Sequence, residues 1–413
     1  MRKSLIALGV LMIPMIAGPI LYGQTQPQPI IQATRIVLAA PPLKARDPNK
    51  LSEDAQPIYY SALRATEWLK LTNKPDGRFV YGFQPSLRVQ LDGDNFQSQA
   101  GATYALACAA RYFRDARADA IASQAVLSLL LETMTDPNDA SIRHTAAAPN
   151  VVNRLSSHGL LISAIHELPN PGKDLLNDAD ALCHYLKKQQ NPDGSLGATS
   201  KGAAAEIDAE HAGRALMGIV RSQRHRPAVW KLDAMGKARA FYFTQWKGNK
   251  DIRTVCSHTP AYAEAYVLTK DAAYAEAVFA MNDWLLGLQY REEFDSQRKQ
   301  WIGGFASFRD GKMVLTPPDI QSALAAESLA DACRVARHAG DLPRLQRYQR
   351  ALIPCMHFVM SLQYTGKKAE HFVDSFRPSI LGAFHASLQD GSMRLDYTQH
   401  SLCAMVRYLD GVE

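Results

Sequence analysis

From Pro57 to Leu409 the chain repeats one pattern, an amphipathic helical segment followed by a breaker. Apolar residues recur at steps of three and four, alanine is abundant, and the alternating runs typical of strands are almost absent. Such a chain can bury its apolar stripes only by packing helix on helix. The pattern predicts twelve helices, over about residues 57–72, 95–113, 117–134, 151–167, 174–190, 206–222, 229–246, 258–269, 272–290, 319–338, 342–363 and 396–409.

The helices group into six hairpins whose two members differ in composition. The first helix of several hairpins ends in an aromatic–aliphatic pair, such as Trp68-Leu69 or Trp284-Leu285, and a loop with glycine follows. The second helix opens with small residues, as in Ala100-Gly101-Ala102 and Ala212-Gly213. Small residues allow the close approach of an inner ring, whereas long side chains suit an outer ring that packs on it.

One turn also carries a recognisable motif. The segment LKKQQNPDGSLG, Leu186–Gly197, contains the pattern Q-x-x-D-G-S-x-G. The repeat and this turn resemble the (α/α)6 toroids of the terpenoid cyclase and protein prenyltransferase class. The resemblance implies an all-α fold, an (α/α)6 toroid of about six helical hairpins. Toroid glycoside hydrolases, polysaccharide lyases and uronate epimerases share this architecture, so the fold alone selects no reaction.

Composition excludes several classes of protein. The 413 residues are 47% hydrophobic and 21% charged, which fits a globular chain and excludes a disordered, fibrous or polytopic membrane protein. The formal charge of +6 is spread along the chain without a basic run, so we expect no nucleic-acid partner.

The N-terminal segment predicts export. Two basic residues precede an apolar stretch over residues 5–21, and Gly23 offers a small residue for cleavage. We therefore expect a signal peptide at 1–23, a Pro/Gln/Ala-rich linker at 24–56, the toroid at 57–413, and a secreted or periplasmic location. The alternative is an uncleaved N-terminal anchor, and no other membrane contact is expected.

The six cysteines indicate neither a metal site nor a redox motif. They lie far apart in helical stretches, without CxxC and without histidine at zinc spacing. We expect buried free thiols, with Cys333–Cys355 as the one pair worth checking, and no metal or cofactor.

Loop lengths predict which end of the toroid carries function. Connections from an inner helix to the next outer helix are short, such as Arg114–Ala116 and Lys270–Asp271. Connections from an outer to an inner helix are long, such as Asn73–Asp94 and Arg291–Pro318. Long ordered loops usually carry function, so we expect the working mouth where the inner helices begin.

The polar residues at these helix starts are the candidate site. Candidate catalytic residues are Tyr397, His400, Arg154, Asp94, Asp208 and Asp396. Candidate substrate-binding residues are Asn95, Asn153, His158, Glu210, His258, Trp301, Phe305 and Gln399. Hydrogen-bonding groups beside aromatic rings suit a sugar, so the expected partner is a polysaccharide or another small molecule. Helix capping and satisfied core histidines are the ordinary explanations for most of these residues.

Two chemistries fit such a site. Lyase or epimerase chemistry on a uronate would use Tyr397 or His400 as the base, with Arg154 or Asn153 neutralising the carboxylate. Hydrolysis would need two carboxylates, drawn from Asp94, Asp208, Glu210, Asp319 and Asp396. The histidine and tyrosine on one helix face favour the first chemistry.

Two other readings stay open. A terpenoid cyclase is suggested by the motif, but Leu91-Asp92-Gly93-Asp94-Asn95 lacks the adjacent acidic pair of D-x-D-D. A non-catalytic binding or scaffold protein of the cell envelope would show no acid, base and cation converging in the mouth.

Overall fold

The computed structural model describes residues 46–149, 151–197, 203–292 and 296–412. The predicted signal peptide and the predicted linker up to residue 45 lie outside the described residues. None of the helices in the described ranges is long and apolar enough to span a membrane. The helices are α1 Ala55–Thr72, α2 Phe96–Phe113, α3 Ala116–Leu131, α4 Arg154–Glu167, α5 Lys173–Lys188, α6 Ala203–Ser222, α7 Val229–Gly248, α8 Ile252–Thr269, α9 Ala272–Leu285, α10 Ser322–Ala339, α11 Leu342–Ser361, the short α12 Gly366–Ala369 and α13 Leu395–Val412.

Six of the helices form a closed inner ring. Around it, α2 packs on α4, α4 on α6, α6 on α8, α8 on α10, α10 on α13, and α13 packs back on α2. The other long helices, α1, α3, α5, α7, α9 and α11, pack on the outside of this ring. The predicted (α/α)6 toroid is confirmed, and the repeat closes into a full ring.

Small residues bring the inner helices close together, as the sequence predicts. A Cβ atom added to Gly159 of α4 would lie 2.1 Å from the backbone oxygen of Arg214 in α6. A Cβ atom on Gly213 of α6 would lie 2.7 Å from the backbone of Ser257 in α8. Since no side chain fits at these crossings, the two glycines set the spacing of three consecutive inner helices.

A repeated turn joins several hairpins to the next one. After α5, the side chain of Gln190 donates to the backbone oxygen of Ala234 at 2.9 Å, and Gly194 adopts a φ of 97° against the backbone of Lys237 in α7. After α11, Gln363 donates to the backbone oxygen of Ser61 at 2.9 Å, and so ties the last hairpin to α1. The Q-x-x-D-G-S-x-G motif is therefore one copy of a turn that joins neighbouring hairpins of the ring.

The strands lie in the long loops. They are β1 Gly82–Gln84, β2 Val89–Gln90, β3 Thr133–Asp136, β4 Asp139–Thr145, β5 Ser307–Arg309, β6 Lys312–Val314 and β7 Met393–Arg394. β1 pairs antiparallel with both β2 and β7, while β3 pairs with β4 and β5 with β6. Because β7 runs directly into α13, its pairing with β1 fixes the start of the last inner helix beside the first long loop.

Two details differ from the sequence-based expectation. Helix α8 begins at Ile252, six residues before the predicted start, because Asp251 caps it by accepting from the Thr254 N–H at 2.7 Å and the helix continues through Pro260. The connection from α7 to α8 is consequently short, unlike the other outer-to-inner connections. The cysteines agree with the expectation, because all six are buried free thiols and Cys333 and Cys355 are not paired.

Candidate functional site

A cavity of about 970 Å³ opens where the inner helices begin. Its wall consists of the first turns of α2, α4, α8 and α13, a deeper part of α6, and the segments that lead into α10 and α13. Seven of the predicted site residues line it: Asn95, Asn153, Glu210, Asp396, Tyr397, Gln399 and His400. The inner helices point their N-terminal ends at this space, as the loop lengths predict.

His400 joins the cavity to a buried carboxylate. Its Nδ1 lies 3.0 Å from Oε2 of Glu327 in α10, and its Nε2 lies 3.4 Å from Nη2 of Arg214 in α6. A guanidinium can only donate, so Nε2 is the acceptor and Nδ1 carries the proton toward Glu327. This tautomer leaves Nε2 as an unprotonated imidazole nitrogen at the cavity, and its electron pair accepts from Arg214.

Glu327 is ionised although it is buried. Burial by itself would raise the pKa of Glu327, but Arg407 and His400 outweigh burial and lower it to about 2. Nη2 of Arg407 lies 2.8 Å from Oε1 of Glu327, on the side away from the cavity. The carboxylate therefore holds the imidazole in one orientation.

A second group of charges lies beside His400. Arg214 reaches Oε1 of Glu210 at 3.3 Å, and Nη1 of Arg253 reaches Oε2 of the same carboxylate at 2.9 Å. Burial opposes ionisation of Glu210, yet the two arginines lower its pKa. The carboxylate of Glu210 is thus ionised, and it holds the guanidiniums of Arg214 and Arg253 at the cavity wall.

The start of α13 adds a third group. Arg394 binds Asp396 through Nε and Nη2, at 2.9 and 2.6 Å, and lies over the rings of Tyr397 and Tyr81 at 4.9 and 5.9 Å. Burial is the main cause that raises the pKa of Tyr397. Its phenol is therefore held protonated at neutral pH, as a donor rather than a base.

Three predicted residues are buried in the scaffold instead. Arg154 donates to the backbone oxygens of Thr145 and Ala147, both at 3.0 Å, and so pins the end of β4. His158 accepts from the Thr145 N–H at 3.1 Å, and burial lowers the pKa of His158 to about 3.

His258 is the clearest departure from the expected placement. Its ring lies between the hydroxyl of Tyr262 and the backbone oxygen of Ala209, at 2.9 and 2.8 Å, and burial lowers the pKa of His258 to about 4. Because α8 begins earlier than predicted, His258 sits in the second turn and not at the mouth.

Four further predicted residues lie apart from the cavity lining. Asp94 is exposed and pairs with Nε of Arg78 at 2.8 Å, where it also accepts from Gln99 at 2.7 Å. Asp208 is half-buried outside the lining. Trp301 packs on Tyr290 with ring centroids 5.2 Å apart, and Phe305 is buried in the core. The loop aromatics thus support the long connections more than the cavity.

The sequence reasoning passed over three charged residues of the site, Arg214, Arg253 and Glu327, and read His211 at a helix start as a core histidine. A usable signal exists for Glu327, because it is an acid within the small, apolar residues of a predicted inner helix. His211 also lines the cavity, burial lowers its pKa, and its Nδ1 is buried without a hydrogen-bond partner among the described residues. Within the ranges that the structure describes, no group of three or more metal-ligating side chains converges.

Comparison with known proteins shows the fold. No protein-family model matches the sequence, and no curated protein matches it by sequence. Among solved structures, the chain is similar to cellobiose 2-epimerase from Bacillus thermoamylovorans B4167, with a TM-score of 0.61 and 9% identity over 86% of this chain and 98% of that chain. It is similar to a D-mannose isomerase, with a TM-score of 0.61 and 12% identity over 87% and 100%. An unsaturated glucuronyl hydrolase specific for heparin matches with a TM-score of 0.55 and 13% identity over 87% and 98%.

Proposed function

We propose that the protein is a carbohydrate-active enzyme that removes a proton from a sugar carbon next to a carbonyl or carboxylate group. The observation that carries this proposal is His400, whose Nε2 accepts at the cavity while Nδ1 is held by the ionised Glu327. The pair has the geometry of a general base and its orienting carboxylate.

The neighbouring groups fit the remaining parts of such a reaction. The proton on carbon passes to Nε2 of His400, and the electron pair of the C–H bond moves to the carbonyl or carboxylate oxygen. When Nε2 takes the proton it no longer accepts from Arg214, and that guanidinium would donate to the oxygen instead and stabilise its negative charge. Tyr397, held protonated, could return a proton to the carbon in an epimerase or protonate a leaving group in a lyase.

The rest of the cavity suits a sugar. Amide side chains of Asn95, Asn153 and Gln399 offer both donors and acceptors, and the rings of Tyr81 and Tyr397 offer stacking surfaces. The charged wall favours a hydroxylated substrate over an isoprenoid chain. Similar folds in a sugar epimerase and a sugar isomerase are compatible with this class of reaction.

Hydrolysis is the second candidate because of one carboxyl group. Asp319 lines the cavity ahead of α10, and burial raises the pKa of Asp319. A carboxyl group whose pKa is raised can act as the general acid of a glycosidase, and Asp396, which also lines the cavity, could supply the second carboxyl group.

One experiment separates these reactions. The full chain is incubated in deuterium oxide with aldoses, reducing disaccharides, uronates and acidic polysaccharides. NMR follows deuterium on carbon, while ultraviolet absorbance follows unsaturated uronates and a colour assay follows reducing ends. The proposal predicts deuterium on the carbon next to the carbonyl, or unsaturated uronates. Reducing ends without either signal would overturn it in favour of hydrolysis through Asp319, and silence on every substrate would favour a binding protein.

We also propose that the chain is exported and meets its substrate outside the cytoplasm. The support is the basic and apolar sequence of residues 1–23. Cell fractionation of the host, with the full chain beside a chain that lacks residues 1–23, tests this proposal. Equal amounts of both chains in the cytoplasm would contradict it.

A further inference from the structure

A second cavity, of about 680 Å³, opens at the other end of the inner ring. It lies between the C-terminal halves of α2, α10 and α13 and the ends of α4 and α6. Its lining among the described residues contains six arginines, Arg111, Arg221, Arg224, Arg334, Arg337 and Arg407. The same lining contains three carboxylates, Glu167, Asp331 and Asp410, so cations outnumber anions two to one.

The carboxylates at this end of the ring already form ion pairs with arginines. Oε2 of Glu167 lies 2.9 Å from Nε of Arg111, and its Oε1 binds Arg221. Asp331 binds Arg407 and lies 3.2 Å from Nη2 of Arg334.

A fourth carboxylate lies behind the wall. Glu264 of α8 accepts from Arg224 at 2.6 Å and from Arg334 at 3.1 Å. Burial would raise the pKa of Glu264, but Arg334 and Arg224 lower it to about 2. Glu327 is a fifth carboxylate, since its Oε1 lies 2.8 Å from Nη2 of Arg407, and the six arginines therefore exceed the carboxylates by one.

The partial negative charges at the C-terminal ends of the helices do not account for the excess of arginines. The carbonyl ends of the inner helices carry partial negative charge, which favours cations at this mouth. Backbone caps, however, already bind several of these carbonyls, such as the Arg114 N–H on Ala110 and the Gly340 N–H on Ala336. The hydrogen bonds described for the six guanidiniums go to carboxylates, to the Tyr104 hydroxyl and to the Met217 sulfur, and not to helix carbonyls.

Some guanidinium N–H donors of this cavity have no acceptor among the described residues. The Nε–H groups of Arg221 and Arg334 are buried and have no hydrogen-bond partner among the described residues. Arg337 is exposed at the rim and makes no ion pair with the part of the chain that the structure describes. Buried guanidinium donors without an acceptor are costly, and an oxyanion is the ligand whose planar or tetrahedral oxygens they match.

We propose that this second cavity, the arginine cavity, binds a small oxyanion with two or more negative charges, of the phosphate or sulfate type. The ligand neutralises the surplus guanidinium charge and accepts from the donors that the protein leaves unmatched. The cavity lies at the opposite end of the inner ring from the candidate active site, so this inference does not depend on the proposed function.

The test is binding of inorganic phosphate to the full chain by isothermal titration calorimetry at low ionic strength. Glucose 6-phosphate is the second ligand, to separate a free oxyanion from a phosphate carried on a sugar, and glucose is the uncharged control. Tight binding of inorganic phosphate alone assigns a free-oxyanion site, whereas much tighter binding of glucose 6-phosphate assigns a sugar phosphate. Either result supports the proposal, and chloride at matched ionic strength should not compete.

Two variants assign the binding to this cavity. Arg337→Glu changes an exposed residue without an ion pair, so the fold should persist, and the affinity for phosphate should fall by about tenfold or more. Arg350→Glu, an exposed arginine of the outer helix α11, is the matched control and should change affinity little. Equal losses in the two variants, or no phosphate binding by the unaltered chain, would overturn the proposal.

Discussion

The two mouths of the toroid are made by the same inner helices, yet they differ in what their charges do. At the N-terminal mouth, Nδ1 of His211 has no hydrogen-bond partner among the described residues, and Nε2 of His400 is an unprotonated acceptor that the Arg214 guanidinium reaches at 3.4 Å. At the C-terminal mouth, each of the carboxylates Glu167, Glu264 and Asp331 is bound by two or more arginines. The N-terminal mouth therefore presents neutral imidazoles and amides beside its charges, whereas the C-terminal mouth is lined mainly by paired arginines and carboxylates.

The difference follows from chain direction. The inner helices begin at the end of the ring where the candidate site lies, so the long loops that precede all of them except α8 can bring in polar residues without disturbing the ring. The other mouth is closed by short connections, where charges must come from the helices themselves and must be paired as they become buried. Glu327 lies between the two regions, since it binds His400 on one side and Arg407 on the other.

The largest expected effect is the loss of folding stability in acid, which should occur in two pH ranges. His158 and His258 have pKa values of about 3 and 4, below the ordinary 6.5, so the unfolded chain takes up protons first and stability falls as pH drops from about 6.5 toward 4. Glu264 and Glu327 have pKa values of about 2, so a second loss follows between about 4.5 and 2. Chemical denaturation at a series of pH values measures both.

His258→Gln is the matched change for this titration. It should weaken the first window and leave the second in place, because the carboxylates of the other mouth are untouched. A single decline that begins only below pH 4.5 in the unaltered chain would contradict the assignment of neutral buried histidines.

Glu167→Ala should cost the most among single substitutions. It leaves the buried guanidinium of Arg221 without its carboxylate, and the free energy of unfolding should fall by roughly 3–5 kcal/mol. Asp410→Ala, which removes a more exposed partner of Arg111, should cost about 1 kcal/mol or less. Similar losses for the two variants, measured by urea denaturation, would show that the arginine cavity is not a tightly paired structure.

Glu327→Gln should slow proton exchange on substrate by roughly a hundredfold, because the imidazole of His400 loses its orienting charge. The loss should appear in kcat and leave KM little changed, because the substrate contacts of the cavity remain, and a general loss of structure would not give this split. Glu276→Gln on the outer helix α9 is the control, and an unchanged kcat in Glu327→Gln would contradict the positioning role.

Gly159→Ala should destabilise the ring by about 1–3 kcal/mol, because the added methyl group meets the backbone of α6 beside Arg214. Gly172→Ala, where nothing lies within 4 Å of the added atom, is the control. Thermal unfolding measures both, and an equal midpoint for the two variants would mean that α4 and α6 are not in close contact.

Most of the fold could be predicted from the sequence because its signals are local. Helical periodicity, breakers and the small residues of inner helices act within one hairpin, and they predict the toroid and the direction of its working mouth. The start of α8 could not be found in the same way, since Pro260 inside the helix concealed the two turns before it.

The candidate site was harder to predict because its central contacts join distant helices. Tyr397 and His400 were found from their spacing on α13, but Glu327 and Arg214 reach His400 from α10 and α6, and sequence spacing carries no such information. His158 and Arg154 lie at a predicted helix start and yet point into the scaffold, where the Thr145 backbone needs their hydrogen bonds.

The central claim is that His400 is the base of a sugar enzyme, and deuterium incorporation tests it most directly. The full chain and its His400→Asn variant are incubated in deuterium oxide with a sugar that the full chain converts. The control is His357→Asn, on the exposed face of α11. The account predicts deuterium on the carbon next to the carbonyl for the full chain and the control, and a loss of about 10²–10⁴-fold for His400→Asn. Full incorporation by His400→Asn would contradict it.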